Sequence, residues 1–243
     1  MMCKRKIILV ILFLQQLTFC TSYGQAINGN GKIVKTAIPM IEFSAVRLKS
    51  SSNIIFVESD KKEIVIEADE KFMPYIECVV SNGCLTVKNK NGAWFNLVKP
   101  INIFVPINSS LTKIINNGSG DIYSDKQALL RNDLTIISNA SGNVMLSLNC
   151  NNLEVNKSGS SAITLNGKVN HLSIESGGNG ELDASKLMVQ DIDVKLRGNS
   201  EAKLRCTSSI HTDLRGNSSI SIIGNPKITS IQNSRDNIHM VKE

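Results

Sequence analysis

A unit of about 19 residues recurs through the second half of the chain, and this repeat constrains the fold more than any other feature. Equivalent apolar positions fall at nearly even intervals, at residues 134, 153, 172, 192 and 210. Each unit holds a short alternating apolar and polar stretch, a corner of Gly, Ser and Asn, and a second alternating stretch. A less regular earlier copy ends at residues 117–120.

Alternation with period two predicts β-strands that bury one face. A unit of this length is too short to hold its own core and too short for a βαβ crossover. We therefore predict an all-β parallel β-helix, or β-solenoid, in which every unit is one coil and equivalent strands stack in parallel. A β-sandwich or propeller is the competing fold, but antiparallel folds rarely keep their corners in register so consistently.

The composition agrees with an ordered, non-helical protein. The chain has 26 Asn but only 10 Ala, a balance that disfavours helices. Hydrophobic residues make up 42% of the 243 residues and the net charge is +6, which excludes an intrinsically disordered chain. An apolar run long enough to suggest a membrane span occurs only at the N-terminus, which excludes a multi-span membrane protein.

The predicted corners explain the abundance of Asn. Stacked coils place Asn179, Asn199 and Asn217 directly over one another, as a structural corner row. Asn tolerates the left-handed backbone conformation of a sharp corner, and its amide can bond to the next coil. Gly at positions 120, 142 and 180 is expected to meet the same demand without a side chain. A phosphate-binding loop is disfavoured, because no Lys-Ser/Thr pair and no helix follow.

The first half of the mature chain has strands of a different arrangement. Alternating or apolar stretches separated by turns predict strands at residues 46–48, 54–57, 64–66, 76–80, 85–87 and 101–105. We expect residues 27–110 to form an N-terminal capping β region and residues 111–243 the repeat solenoid, in one continuous domain. Residues 88–99 form a polar loop whose apolar tip carries the single tryptophan of the chain, Trp94.

Residues 1–26 have the order of a secretory signal peptide: a basic start, an apolar stretch, then small and polar residues. Cleavage after Ala26 removes three basic residues, so the mature net charge is 6 − 3 = +3. This charge is too small to indicate a nucleic-acid partner. A bacterial lipoprotein anchored through Cys20 is the alternative, but the bulky Phe19 before it favours soluble export to the periplasm, cell surface or medium.

Four cysteines remain in the mature chain: Cys78, Cys84, Cys150 and Cys206. A two-residue turn at Asn82-Gly83 would place Cys84 opposite Ser81 and Cys78 opposite Val87, which argues against a disulfide between these two cysteines. We interpret all four as small buried residues. The spacing of Cys and His fits no metal site, and no cofactor motif is present.

Six short motifs resemble one known family. They are Gly-Asn-Gly-Lys-Ile-Val at 29–34, Phe-Ser-Ala-Val-Arg-Leu at 43–48, Glu-Ala-Asp-Glu at 67–70, Gly-Ser-Gly-Asp-Ile at 118–122, Asp-Ala-Ser-Lys-Leu at 183–187 and Ile-Gly-Asn-Pro at 223–226. In this order they resemble the auto-transporter adhesin head GIN domain, an exported bacterial family without a known biochemical function. The Ser-Gly corners of that family are replaced by Gly-Asn-Ser at 198–200 and 216–218, and the last corner is reduced to Asn-Ser-Arg at 233–235. The resemblance implies adhesion and transfers no binding residues.

The sequence contains few candidate catalytic groups. Stacking predicts an outward row of Glu154, Ser173, Asp193 and His211, and a second row of Asn156, Glu175, Lys195 and Asp213. The second row alternates in charge, as a solvated sheet does for register and solubility. Asp193 and His211 are the acid and base candidates, and no nucleophile motif accompanies them.

Three functions therefore remain open. The leading one is an exported, non-catalytic binding or surface module that contacts a glycan or a surface protein through a flat face of the solenoid. The alternatives are a carbohydrate-active enzyme on a β-helix and a structural scaffold of the cell envelope. Asp193, His211 and Trp94 are the candidate binding residues, with no catalytic, metal or cofactor site predicted.

Overall fold

The computed structural model describes residues 26–124, 129–231 and 237–241. Residues 1–25 of the predicted signal peptide, which include Cys20, lie outside the described residues. The predicted corner at residues 233–235 also lies outside them. The strands are β1 (Ile27–Asn28), β2 (Ile33–Pro39), β3 (Ala45–Leu48), β4 (Asn53–Val57), β5 (Glu63–Asp69), β6 (Ile76–Ser81), β7 (Cys84–Asn89), β8 (Phe95–Asn96), β9 (Asn102–Pro106), β10 (Lys113–Asn116), β11 (Ile122–Ser124), β12 (Leu129–Ser138), β13 (Val144–Lys157), β14 (Ile163–Ser176), β15 (Asn179–Leu196), β16 (Asn199–Leu214), β17 (Ser219–Ile223), β18 (Lys227–Ile231) and β19 (Ile238–Val241). Short 3₁₀ turns occur at Met73–Tyr75 and Lys90–Gly92.

The repeat units stack as parallel coils, which confirms the predicted all-β solenoid. Strands β12 to β16 pair side by side, β17 and β18 both pair with β16, and β19 pairs with β17. The register joins residues 134, 153, 172, 192, 210 and 228 in one row. The sequence period is therefore the length of one coil.

Inward side chains of successive coils form continuous apolar rows. One such row contains Ile136, Val155, Ile174 and Val194, each at most 1% exposed. Because equivalent positions in parallel strands are neighbours, each aliphatic side chain packs on its counterpart in the coils above and below. Burying one such side chain contributes roughly 1.5–3 kcal/mol, so the rows supply the main stabilisation.

The coils at the N-terminal end do not follow the order of the sequence. Strands β3 and β4 stack in parallel on β10 and β11, and β7 and β9 stack in parallel on the outer side of β3 and β4. Strand β6 is antiparallel to β7, and β5 is antiparallel to β9. Strand β2, which the sequence did not indicate, is antiparallel to β5. These antiparallel strands pair along the outer edge of the stacked coils and cover it.

The corners use glycine in a different way from the one predicted. The left-handed backbone belongs to Gly198 and its equivalents, at φ +77 for Gly198, whereas Asn199 is not in that region. The expectation that the corner asparagines adopt the left-handed conformation is therefore wrong. Of the three glycines expected to be left-handed, Gly180 has a positive φ, whereas Gly120 and Gly142 do not. Gly142 is required for space instead, because an added Cβ would lie 1.9 Å from the carbonyl oxygen of Gly120 in the neighbouring coil.

Candidate ligand-binding groove beside Trp94

Residues 88–99 fold against a corner of the solenoid and leave a groove of about 570 Å³ between the loop and the corner. Trp94 is 75% exposed, Val98 is 86% exposed and Leu97 is 37% exposed. The loop wall of the groove is formed by Trp94, Phe95 and Leu97. An indole with this exposure is unusual in a chain that buries most of its apolar residues, and exposed apolar patches often mark binding sites.

The loop that carries Trp94 is held from within. The side-chain amide of Asn89 donates a hydrogen bond to the carbonyl oxygen of Ala93 at 2.8 Å. The next aromatic residue, Phe95, is half-buried and packs on the buried Phe72 with 4.8 Å between ring centroids. The backbone on both sides of Trp94 is therefore anchored while the indole itself is exposed.

The N-terminal strand fixes the same loop from outside. Strand β1 is parallel to β8, with Ile27 opposite Phe95. The backbone amide of Ile27 donates to the carbonyl oxygen of Trp94 at 2.8 Å, and the side-chain amide of Asn96 donates to Asn28 Oδ1 at 3.0 Å. These contacts join segments that are distant in the sequence.

The buried carboxylate of Asp69 anchors the turn that follows β1. It accepts the backbone amide of Gly31 at 2.6 Å and that of Lys71 at 3.0 Å. Burial raises the pKa of the Asp69 carboxyl, but the hydrogen bonds from these amides outweigh it and hold the pKa below its ordinary value. A Cβ added at Gly29 would lie 2.6 Å from Asp69 Oδ2, so the chain passes close to this carboxylate.

The opposite wall of the groove consists of corners from three successive coils. It includes Ser51, Ser119 and Ser141, together with Asn117. The strands before and after these corners pair in the same register, which places the three serines at one equivalent position in neighbouring coils. In the part of the chain that the structure describes, no side-chain hydrogen bond engages these three hydroxyls.

Buried Asn116 shapes the corner beside the groove. Its amide nitrogen donates to the carbonyl oxygens of Gly120 and Gly142, both at 3.0 Å, and its Oδ1 accepts the amide of Gly118 at 3.0 Å. This fully buried side chain makes two hydrogen bonds within its own corner and one to the neighbouring coil, which holds the backbone in one conformation. The polar wall is therefore rigid.

The groove carries little charge. Lys49 is the one charged residue among the described residues that line it, and no carboxylate lines it. The nearby Lys88 forms an ion pair with Glu77 at 3.0 Å. The groove therefore lacks the paired carboxylates that glycoside hydrolysis requires.

The other candidate residues, Asp193 and His211, lie on a flat face. They are directly opposite in adjacent strands, and Asp193 is also opposite Ser173. Asp193 lines a shallow channel of about 320 Å³ with Glu154 and His171. The structure describes no ion pair between Asp193 and His211, and it places Trp94 in the groove at residues 88–99, not in this channel.

Two carboxylates on this face, those of Glu154 and Asp191, have hydrogen-bond partners on the sheet. Glu154 accepts hydrogen bonds from Thr135 at 3.2 Å and from Asn156 at 2.8 Å. The hydroxyl of Ser209 donates to Asp191 at 2.6 Å and lowers the pKa of that carboxyl. Glu154 and Asp191 therefore have partners along the sheet, as is common on a solvated surface of a sheet.

The corner asparagines form an amide ladder on the solenoid surface. Asn199 Nδ2 lies 3.3 Å from Asn179 Oδ1, and Asn217 Nδ2 lies 3.3 Å from Asn199 Oδ1. All three side chains are exposed. The ladder occupies the same corner position as the groove serines, with Ser160 between the two groups.

The four cysteines that the structure describes are unbonded thiols. The hairpin places Cys78 opposite Val87 and Cys84 opposite Ser81. Cys150 and Cys206 are buried, but Cys78 and Cys84 are only half-buried, so the prediction of four buried cysteines is half wrong. Burial raises the pKa of Cys78 to about 12 and that of Cys150 to about 11. Thiols with raised pKa values are poor nucleophiles and metal ligands.

Two further classes of site are not found in the described residues. No group of three or more His, Cys, Asp and Glu side chains is placed to hold a metal ion. Among the same residues, no helix is long and apolar enough to cross a membrane.

The stacked parallel coils define a β-solenoid domain with an exposed indole beside one corner. The family profile described as "Putative auto-transporter adhesin, head GIN domain" matches residues 42–226. The chain belongs to this family, which confirms the resemblance drawn from the six motifs.

Solved bacterial structures share the fold. A "putative adhesin" from Bacteroides fragilis superposes with a TM-score of 0.77 at 22% identity, covering 89% of this chain and 98% of that chain. A "putative adhesin" from Parabacteroides merdae gives 0.64 at 20% identity, with 90% and 98% covered. A "putative lipid binding protein" from Parabacteroides distasonis gives 0.67 at 21% identity, with 89% and 100% covered. No curated protein matches the chain.

Of the groove residues, the sequence points to Trp94 and to the corner at residues 117–120, which is recognisable as an early copy of the repeat. The equivalent corner at residues 50–52 does not follow the repeat spacing. The signal available was the Ser-Ser-Ser run at 50–52 between two alternating stretches. Buried Asn116 could have been found as a polar residue at an inward position of an alternating strand.

Proposed function

We propose that this chain is an exported, non-catalytic, adhesin-like module that binds a surface partner in the groove beside Trp94. The observation that carries the proposal is the exposed indole on a loop anchored by Phe95, Asn89 and strand β1. A rigid aromatic side chain loses little conformational entropy on binding and provides a large contact area, so such residues dominate binding energies. Membership of an adhesin family supports the same function.

A non-catalytic role is supported by the character of the groove. Its described lining residues include one lysine and no carboxylate, His or Cys. The carbohydrate-active enzyme alternative has its candidates, Asp193 and His211, on the flat face instead. The scaffold alternative gives no account of the exposed Trp94.

Export is part of the proposal and rests on the signal-like N-terminus and on the family. The mature chain is expected to begin near Ile27 and to carry no lipid. Intact-mass measurement of the processed protein from the native host tests this expectation. A diacylated N-terminal Cys20 would contradict soluble export and would make the protein a membrane-anchored lipoprotein.

The binding function is tested with labelled mature protein on intact bacterial and epithelial cells. Saturable binding by the wild type, lost at least tenfold in Trp94→Ala, is the expected result. Met188→Ala is the matched control, because Met188 is also exposed, at 49%, but does not line the groove. Equal binding by Trp94→Ala and the wild type would overturn the proposal, as would the absence of any saturable binding.

A further inference from the structure

The two walls of the groove have different chemistry. The loop wall offers an exposed indole with Phe95 and Leu97 behind it, and the corner wall offers hydroxyls and an amide. A ligand that fills such a groove needs one apolar face and one edge rich in hydrogen-bonding groups. A pyranose ring has both, since its axial C–H groups form an apolar face and its equatorial hydroxyls form a polar rim.

The polar wall is also periodic. Ser51, Ser119 and Ser141 occupy one corner position in three successive coils, and parallel strands lie about 4.8 Å apart. This spacing is close to the length of one sugar unit in an extended chain. An oligosaccharide that lies along the solenoid axis therefore meets an equivalent hydroxyl at each successive unit.

The three hydroxyls differ from the asparagine amides on this corner row. The amides of Asn179, Asn199 and Asn217 bond to one another, whereas the serine hydroxyls have no side-chain partner among the described residues. Unengaged donors and acceptors on a rigid wall can bond to a ligand without breaking an internal hydrogen bond. The three groove serines belong to the described part of the row without side-chain partners, which also includes Ser160 outside the groove.

The charge of the groove limits the classes of ligand that it can bind. With Lys49 as the one charged group among the described lining residues and no carboxylate, nothing in the groove would pair with a cationic ligand. A single exposed lysine is also too little for a polyanion. Insertion into the acyl region of a bilayer would bury the serine hydroxyls without hydrogen-bond partners, which is unfavourable.

Resting on the proposed function, we infer that the groove binds a neutral, extended oligosaccharide, with one sugar ring stacked on Trp94 and its neighbours bonded to Ser51, Ser119 and Ser141. Three coils line the groove, so about three sugar units fill it. The ligand class follows from the aromatic wall, the hydroxyl row and the absence of acidic lining residues together.

The test uses the mature protein with four neutral series: cello-, laminari-, manno- and chito-oligosaccharides of two to six units. Because Trp94 is the single tryptophan, its intrinsic fluorescence reports on the groove directly. We expect a saturable change for at least one series, with affinity rising to about three or four units and constant beyond. In calorimetry, Trp94→Ala should lose at least tenfold in affinity.

A second set of substitutions tests the role of the serines in the corner wall. The double variant Ser119→Ala/Ser141→Ala should lose about fivefold to fiftyfold in affinity, while Ser173→Ala on the flat face should retain it. Failure of all four series while cell binding still depends on Trp94 would overturn the inference and leave the proposed function intact. Binding to neutral phosphatidylcholine vesicles with a Trp94-dependent fluorescence shift, and to no oligosaccharide, would identify a membrane surface instead and would also overturn it.

Discussion

The backbone amide of Ile27 donates a 2.8 Å hydrogen bond to the carbonyl oxygen of Trp94. The first described strand of the chain thereby holds the loop that carries the exposed indole. Because the predicted cleavage site lies directly before Ile27, the start of the mature chain would itself hold one wall of the groove in place. The loop is anchored by this strand on one side and by the Phe72–Phe95 contact on the other.

Deleting residues 27–31 from the mature chain should loosen Trp94 without unfolding the solenoid. The deletion removes strand β1 and the hydrogen bond to Asp69, while every coil retains its inward rows. We expect a lower steady-state anisotropy of Trp94 fluorescence and a thermal midpoint within a few degrees of the wild type. Unchanged anisotropy would show that β1 does not restrain the loop.

Acid should release the same strand. The hydrogen bonds from Gly31 and Lys71 hold the pKa of Asp69 below its ordinary value of about 3.9 despite the opposing effect of burial. A depressed carboxyl pKa in the folded state contributes stability that is present above the unfolded pKa and is lost as the pH falls from there through the folded pKa. Trp94 anisotropy should therefore decrease below about pH 4, and Asp69→Asn should show the low-anisotropy state already at pH 7.

The corner positions should differ in their tolerance of substitution. Asn199→Ala removes two exposed hydrogen bonds of the ladder and should cost about 1 kcal/mol. Gly198→Ala forces a side chain into the left-handed region at φ +77 and should cost about 1–2 kcal/mol.

Gly142→Ala should destabilise most, because its Cβ would lie 1.9 Å from the carbonyl oxygen of Gly120, which belongs to a backbone packed between coils. Urea unfolding midpoints of the three variants give the order of cost. A midpoint of Asn199→Ala below that of Gly142→Ala would show that the amide ladder, and not close backbone packing, controls the corners.

A buried lysine inside one corner should make the free energy of unfolding change with pH in the alkaline range. Lys157 is 3% exposed, and its Nζ donates to the carbonyl oxygens of Gly159 at 2.9 Å and Asn179 at 3.0 Å. Burial lowers its pKa, so between the folded and unfolded pKa values the unfolded chain binds the extra proton. The free energy of unfolding should therefore rise with pH through this window.

Lys157→Met is the matched variant for that measurement, because it keeps the length of the side chain and removes the titrating group. As the pH rises from 7 to 10, the unfolding free energy of the wild type should increase relative to that of Lys157→Met. Parallel pH profiles for the two proteins would contradict a depressed pKa at Lys157.

The flat face should contribute nothing to activity or to ligand binding. Asp193→Asn and His211→Gln are expected to bind cells and oligosaccharides within twofold of the wild type, since neither residue lines the groove. The mature protein should release no reducing sugar from polysaccharides. Cleavage that disappears in Asp193→Asn would establish an enzyme on the flat face.

The sequence by itself determined the coil and the direction of its side chains. A strict alternation fixes which residues point inward, so Val155 and Ile174 were assignable to the core before any contact was known. The nearly even spacing of the units determined the register, which places Asp193 opposite His211 in the adjacent strand. The two-residue turn likewise fixed Cys78 opposite Val87, because hairpin register is a local property.

Only the tertiary structure decided the groove. Ser51 and Ser119 lie far apart in the sequence, and the coil at residues 84–106 stacks outside the coil at residues 45–57, so no sequence period links the groove's parts. The contact of Ile27 with Trp94 also joins distant segments. Alternation sets the inward and outward faces strand by strand, but which strands become neighbours depends on how the whole chain buries its apolar faces and covers its sheet edges.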